Sequence, residues 1–337
     1  MKAMISEKTY FIKLTPLQLY FFGGEQGIVA DYYLKGNPLP QQTALLGMIR
    51  YQILVQNNLL ENNVIIETED EERKPANWIG EQSFSHEEAR TFGKIKSLSQ
   101  CFLVIDGNKY LPYYPNYFDK IEKQNNNFFL PDYKAKDYYP LRWKNIANDE
   151  DFITDFCEEI ERVGVDKNYY GQTDERSFYK QVWFKMKKGF SFGFYLKKEE
   201  DAVLEDAIVC LGKENAVFQM EVDDIGVSTP PHTKDENHNA LYLTSDAFVT
   251  GNFLEDCDFA VFETVPFRCL ANKTAKKHKH YEPNKSKHRI QLLKRGSVFI
   301  GKNQNVKSLI EKLEIETNFR DIGYNSFETK QITIINQ

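Results

Sequence analysis

Short runs rich in β-branched and aromatic residues recur from one end of the chain to the other, broken by Gly, Pro and Asn turn signals, whereas helical spacing shows only in single stretches between them. Strands interleaved with single helices in two consecutive series point to an α+β class, with two ferredoxin-like sandwiches in tandem and irregular insertions. A length of 337 residues fits two domains. The division is expected near residue 175, giving an N-terminal unit over 1–175 and a C-terminal unit over 176–337.

In the first series, Thr9 to Tyr20 reads as a strand interrupted at Pro16, and Gln41 to Leu60 as a helix with Leu45, Met48, Ile49 and Ile53 on its apolar face. Glu61 to Arg73 reads as an exposed acidic connector, and Lys94 to Tyr110 as strands joined at Asp106-Gly107-Asn108. Tyr110 to Trp143 carries eleven aromatic residues and four prolines without a steady period, so an irregular insertion is expected there. Glu150 to Arg162 has helical spacing. The second series opens with Ser177 to Lys187 and Phe190 to Leu196, read as a hairpin turning at Lys188-Gly189, then a helix over Glu199 to Leu211 and a strand over Ala216 to Val222. Strands follow near Ala240 to Val249, Phe259 to Thr264, Ser297 to Ile300 and Thr329 to Ile335, with a helix over Val306 to Leu313.

No apolar run approaches the roughly 18 residues of a membrane helix, and the start MKAMISEKTYF lacks the apolar core of a signal peptide, so a soluble cytoplasmic protein is expected. The five cysteines, Cys101, Cys157, Cys210, Cys257 and Cys269, are odd in number, widely spaced and without a C-x-x-C pair, which reads as reduced thiols and no zinc knuckle. The net charge of −6 is unevenly spread: residues 273 to 295 hold nine Lys and Arg against the one acid Glu282, a local +8 that leaves −14 on the rest. Such an island is a localised polyanion site or a solvated loop.

Signals for catalysis are sparse, and neither a cofactor nor a metal is expected. Gly296 to Lys302 fits the first seven positions of a phosphate-binding loop, but Asn303 stands where the magnesium ligand must be Ser or Thr, and Ser297 to Ile300 is strand sequence. His278, His280 and His288 lie in the basic island, whose ammonium groups oppose a divalent cation. The helix says more. Thr43, Gly47 and Arg50 share a stripe opposite the apolar face, and an interior glycine costs about 1 kcal/mol relative to Ala, so close packing by a ligand or by another part of the chain is expected at Gly47. Arg50 is placed to pair with phosphate.

Glu161-Arg162-Val163-Gly164-Val165-Asp166, followed by Gly171-Gln-Thr and Ser177-Phe178-Tyr179, resembles a segment of CRISPR-associated RAMP proteins. Leu14-Thr15-Pro16-Leu17 with Phe21-Phe22-Gly23-Gly24, and the stretch from Pro38 to Arg50, are similar to that family's first strand, loop and helix. Leu211-Gly212-Lys213-Glu214 resembles its "L-G-G-E" turn, and Leu293 to Phe299 the "V-P-A-G-S-V-Y" strand of the third subunit of Cmr effectors. Two departures stand out: Gly212-Lys-Glu-Asn lacks the second glycine, and Gly323-Tyr-Asn-Ser lacks a G-x-G.

The resemblance implies two RRM-type domains without catalytic activity, in a subunit that grips the repeat-derived 5′ tag of a guide RNA beside the large polymerase-like subunit and the backbone filament of a type III-B (Cmr) complex. It implies tag contacts at Phe22, Gly23, Gln42, Thr43, Gly47, Arg50 and Lys213. A cationic track with aromatic planes is what single-stranded RNA requires. Arg162, Lys167, Tyr169, Tyr170 and Arg176 supply such a loop, and Lys273, Lys276, Lys277, Lys279, Lys285, Lys287, Arg289, Lys294 and Arg295 supply the track. The rival readings are a Cas-six-like endoribonuclease, for which the first available histidine is His86, a structural adaptor without RNA contact, and the equivalent subunit of a type III-A or III-D complex.

Overall fold

In the computed structural model the N-terminal strand, Glu7–Pro16, lies between Phe190–Glu199 and Val217–Gly226, antiparallel to both. The structure describes residues 6–23, 33–62, 64–66, 68–113, 121–124, 127–130, 141–165, 171, 178–226, 238–271, 284–285, 289–301, 303–332 and 334–336. These three strands centre a nine-stranded sheet. Beyond Phe190–Glu199 it continues through Phe102–Ile105, Asn108–Tyr113, Arg142–Asn145 and Phe152–Ile153, and Ala207–Cys210 forms the other edge. Ile95–Leu98 also pairs with Phe190–Glu199. Strands from both sides of residue 175 therefore share one sheet.

Alternation along the strands decides which face is covered. Register sets Ile12 beside Phe194 and Val222, and Leu14 beside Phe192 and Met220, so one face presents a continuous apolar surface. The helix Gln42–Gln56 buries Leu45, Leu46, Ile49 and Ile53 within the same core. On the opposite face Phe11, Phe102, Val104, Leu111 and Tyr195 form a smaller cluster. A second sheet, ordered Phe259–Val261, Val298–Ile300, Ala240–Leu243 and Phe327–Lys330, packs Leu241, Leu243 and Phe299 against Val306, Leu309 and Leu313 of the helix Asn303–Ile315. Its other face places Tyr242 and Val298 on Tyr113, so the two sheets share a core. A third sheet joins Cys157–Val165, Phe178–Met186 and Tyr33–Lys35.

The mixed α+β class is as expected, as is the Asp106-Gly107 turn, whose two residues both take positive φ between Ile105 and Asn108. Three elements differ. Glu150 to Arg162 is not a helix: Cys157–Val165 pairs over nine residues with Phe178–Met186, and that ladder overrides an ambiguous apolar spacing. Glu199 to Leu211 is not a helix either. The Asn57 side chain exchanges hydrogen bonds with Val203 N (3.0 Å) and O (2.9 Å), and the Gln56 side chain with Glu205 N (2.7 Å) and O (3.1 Å). Two amides at the helix end thus act as a strand partner and deliver Ala207–Cys210 to the sheet edge. Finally, Phe178–Met186 and Phe190–Glu199 turn at Lys188-Gly189 but join different sheets, so the expected hairpin is a corner.

One side chain ties these layers together. Gln42 is 1% exposed; its Nε2 donates to Ser99 O and Ile322 O, both at 2.7 Å, and its Oε1 accepts from Cys101 N at 3.2 Å. Gly323 makes room for it: φ is +88°, and a Cβ there would lie 2.0 Å from Gln42 Nε2 and 2.3 Å from Ser99 O. Gln42→Ala deprives three backbone groups of their partner, two of them buried, and Gly323→Ala collides with the amide, so each is expected to lower stability by about 2–4 kcal/mol. Urea denaturation followed by tryptophan fluorescence measures this, and a loss under 1 kcal/mol in both, on the order of a surface substitution, would remove the junction from that role.

Candidate nucleic-acid interface

The stripe read on the first helix lines a cleft of about 1040 Å³, formed by Thr43, Ala44, Gly47, Arg50 and Leu54 on one side and residues 74–84 with Arg268 and Cys269 on the other. Gly47 is exposed, and no atom lies within 4 Å of the position its Cβ would occupy. The close packing expected at Gly47 is thus absent among the described residues; the glycine opens the cleft floor to something from outside. Arg50 Nη2 donates to Gly80 O at 3.2 Å, its guanidinium stands 6.0 Å from the Phe92 ring, and its buried Nε has no partner. Burial pulls its pKa down, and among the described residues no carboxylate lies within ion-pair distance of it. Arginine keeps its proton even so, which leaves a cation held in place without a counter-charge. Gln42 does not belong to this surface, because its amide is fully used inside the junction.

A second constellation forms where the turn after Leu211 meets the first strand's loop. Gly212 has φ +87°, and a Cβ there would stand 2.7 Å from Phe21 O. Glu214 and Asn215 also take positive φ, so the turn forms without the second glycine of the family pattern, at a strain of about 1 kcal/mol or more for Glu214. Lys213 N donates to Phe21 O at 2.9 Å, and its ammonium stands 5.6 Å from the Phe21 ring and 6.0 Å from Tyr179. Arg162 lies 4.5 Å from the Trp183 ring centroid and 3.9 Å from the Glu214 carboxylate. Gly23 is exposed beside this group. Phe22 is not: at 3% exposure it packs on Tyr20, Phe192 and Phe218, a core residue rather than an RNA contact. Lys167, Tyr169, Tyr170 and Arg176 lie outside the described residues.

The basic island is only partly a track. Lys273, Lys276, Lys277, Lys279 and Lys287, and the three histidines among them, lie outside the described residues. Lys285 sits on a two-residue strand paired with Leu270–Ala271, and Arg289 is exposed. Lys294 pairs with Glu263 at 2.5 Å. Arg295 is a correction. Its backbone N and Nε donate to Asp246 Oδ1 at 2.9 and 3.1 Å and its Nη2 to Oδ2 at 2.9 Å, in a pair whose side chains are 9% and 15% exposed. The guanidinium is spent on holding the second sheet's turn and cannot neutralise a phosphate.

Sequence reasoning missed Arg268 on the cleft's far wall and the Phe21 and Trp183 rings beneath Lys213 and Arg162. No local pattern marks Arg268 or Trp183, and Phe21 stands only inside the Phe21-Phe22-Gly23-Gly24 motif with nothing to single out its ring. Among the described residues no group of three His, Cys, Asp or Glu side chains could hold a metal ion, and no helix is long and apolar enough to cross a membrane. The Gly296 to Ile300 stretch leads into Val298–Ile300, an inner strand of the second sheet paired with Ala240–Leu243 and Phe259–Val261, rather than a phosphate loop.

No family model matches the chain, and no curated protein matches it by sequence. Solved structures do. A chain in the cryo-EM structure of the Type III-B Cmr-beta bound to cognate target RNA and AMPPnP, state 1, superposes with a TM-score of 0.54 at 14% identity, covering 95% of this chain and 96% of that one. A chain in the Cmr-beta structure bound to cognate target RNA gives 0.53 at 14% identity, over 96% of this chain and 99% of that one. The chain therefore shares its fold with a chain of the Type III-B Cmr-beta structures. That likeness in fold spans nearly the whole length of the chain.

The Asp246–Arg295 pair has a consequence in acid. Burial alone would raise the Asp246 carboxyl, but the Arg295 guanidinium and its hydrogen bonds hold it below its ordinary value. A carboxyl lowered on folding contributes stability above its unfolded pKa of about 3.9 and loses it as pH falls through the folded value. Asp246→Asn is expected to cost about 3 kcal/mol at pH 7 by leaving a buried cation uncompensated, and to flatten the stability loss below about pH 4. Urea titrations at pH 7 and pH 3 measure both effects; parallel losses in the two proteins would show that the pair does not govern acid stability.

Proposed function

We propose that this chain is a non-catalytic subunit of a type III, Cmr-type CRISPR effector complex, in which it binds the repeat-derived 5′ tag of the guide RNA next to the large polymerase-like subunit and the backbone filament. The observation that carries the reading is the cleft along the first helix: an uncovered glycine beside an uncompensated, immobilised arginine, on a fold shared end to end with a Cmr-beta chain. A bare glycine lets a sugar-phosphate backbone come close, and the fixed guanidinium offers phosphate a charge-assisted bond whose desolvation is already met. Gly23, Arg162 and Lys213, with their aromatic neighbours, supply a second contact. The undescribed lysines of the island remain candidates for phosphate contacts that position the strand without reading it. In this reading the helix Gln42–Gln56 on its sheet and the helix Asn303–Ile315 on its own are the two ferredoxin-like halves, and the protein works in the cytoplasm.

The nuclease alternative needs a histidine free to move a proton. His86 is half-buried, its Nδ1 stands 3.4 Å from Cys269 Sγ and its Nε2 3.5 Å from the Glu87 carboxylate. Both ring nitrogens thus face protein groups, which favours a structural role.

Purified protein incubated with repeat RNA is expected to leave it intact with or without Mg²⁺; cleavage abolished by His86→Ala would replace this proposal with the endoribonuclease. In the assembled complex, Arg50→Ala is expected to reduce guide-RNA retention about tenfold or more, the equivalent of roughly 1.5–3 kcal/mol for a charge-assisted bond. Gly47→Leu should do the same by filling the cleft, whereas Gly47→Ala should stabilise the helix by about 0.5–1 kcal/mol. Unchanged RNA occupancy in both Arg50→Ala and Gly47→Leu would return this face to solvent.

A further inference from the structure

The third sheet has two chemically different faces. In the antiparallel pair of Cys157–Val165 with Phe178–Met186, directly opposed residues share a face, and Tyr33–Lys35 extends the pair with Tyr33 beside Lys180 and Lys35 beside Val182. One face therefore carries Arg162, Tyr179 and Trp183 and looks toward Lys213. The other carries Cys157, Glu159, Glu161, Val163 and Val165 opposite Met186, Phe184, Val182, Lys180 and Phe178. At its base this second face is the protein's own core, with Phe184 2% and Val182 1% exposed. Farther out the apolar pattern continues while cover from the described residues ends: Val163 is 67% exposed, Phe178 60%, Tyr33 41% and Val165 37%.

We propose that the outer half of this face docks on an apolar, uncharged surface of another protein subunit. The charges argue for protein and against nucleic acid. Both lysines of the face are matched by carboxylates on the same face, Lys35 with Glu159 at 2.6 Å and Lys180 with Glu161 at 3.6 Å, so the surface is close to neutral and gives phosphate no net attraction. Two of the four exposed residues are valines, which have no ring on which a base could stack. Aliphatic and aromatic groups in one patch, rimmed by paired charges, match the centre of a protein interface. Single exposed apolar residues need no explanation, but four at adjoining register positions, continuing a buried face, do.

This inference rests on the reading that the chain works within a multi-subunit assembly. The test is to incorporate a benzophenone amino acid in place of Phe178 in the tagged full-length chain, purify the native assembly, irradiate it and map cross-links by mass spectrometry. Cross-links to apolar positions of a different subunit are expected, and the double variant Val163→Ser, Phe178→Ser should lower that subunit's stoichiometry at least tenfold with unchanged melting of the isolated chain. Cross-links to RNA, to a second copy, to this chain's own segment, or none at all would overturn the proposal. Sequencing RNA from the same preparation separates the two readings: a subunit cross-link in RNA-free material would keep the interface and sink the guide-RNA role.

Discussion

Everything that gives this molecule a site depends on the three hydrogen bonds of the Gln42 amide. The side chain sits in the first turn of the helix and bonds the backbone on either side of Gln100 and the carbonyl of Ile322. The start of the helix is thereby fixed to the central sheet and to the turn that follows the last helices. A helix fixed at one end and packed through Leu45, Ile49 and Ile53 has no freedom to rotate. Thr43, Gly47 and Arg50 then line the cleft, which residues 74–76 and 79–84 close from the other side. The same residue that looked like a ligand contact is thus what orients the candidate contacts.

Legibility in the sequence followed the range of the forces involved. The first helix, the Asp106-Gly107 turn, the helix Asn303–Ile315 and the central strands were readable because periodicity and turn chemistry act locally. The two false helices failed for a shared reason: apolar spacing over twelve or so residues fits a helix or an edge strand, and only the partner decides. For Cys157–Val165 the partner is another strand, and for the 203–205 segment it is a pair of side-chain amides at the end of a helix. No local pattern encodes either.

Charge was legible as a total but not as an allocation. The sequence shows nine cations between residues 273 and 295. The structure removes Arg295 to a buried pair with Asp246 and ties Lys294 to Glu263. Arg50, a single cation with no run around it, keeps its charge without a carboxylate at ion-pair distance among the described residues. For a phosphate, one guanidinium whose desolvation is already met by the fold is worth more than several lysines in solvent, because exposed charges are screened within about 10 Å at 0.1 M salt.

The third sheet extends this allocation of charge to whole faces. Its Arg162 face brings cations over aromatic rings, with the Glu214 carboxylate 3.9 Å from Arg162. Its Val163 face neutralises each lysine with a carboxylate and then exposes hydrocarbon. Because strand side chains alternate with a period of two, a slip of one residue between Cys157–Val165 and Phe178–Met186 would interchange these faces. Tyr179 lying across Gly164 works against that slip: a Cβ at residue 164 would stand 2.2 Å from the far end of the ring, so a side chain there would force the tyrosine to move off its present seat. The glycine that carried the family resemblance in the sequence thereby has a physical task, which is to keep the polar, ring-bearing face and the bare apolar face of one ribbon on their proper sides.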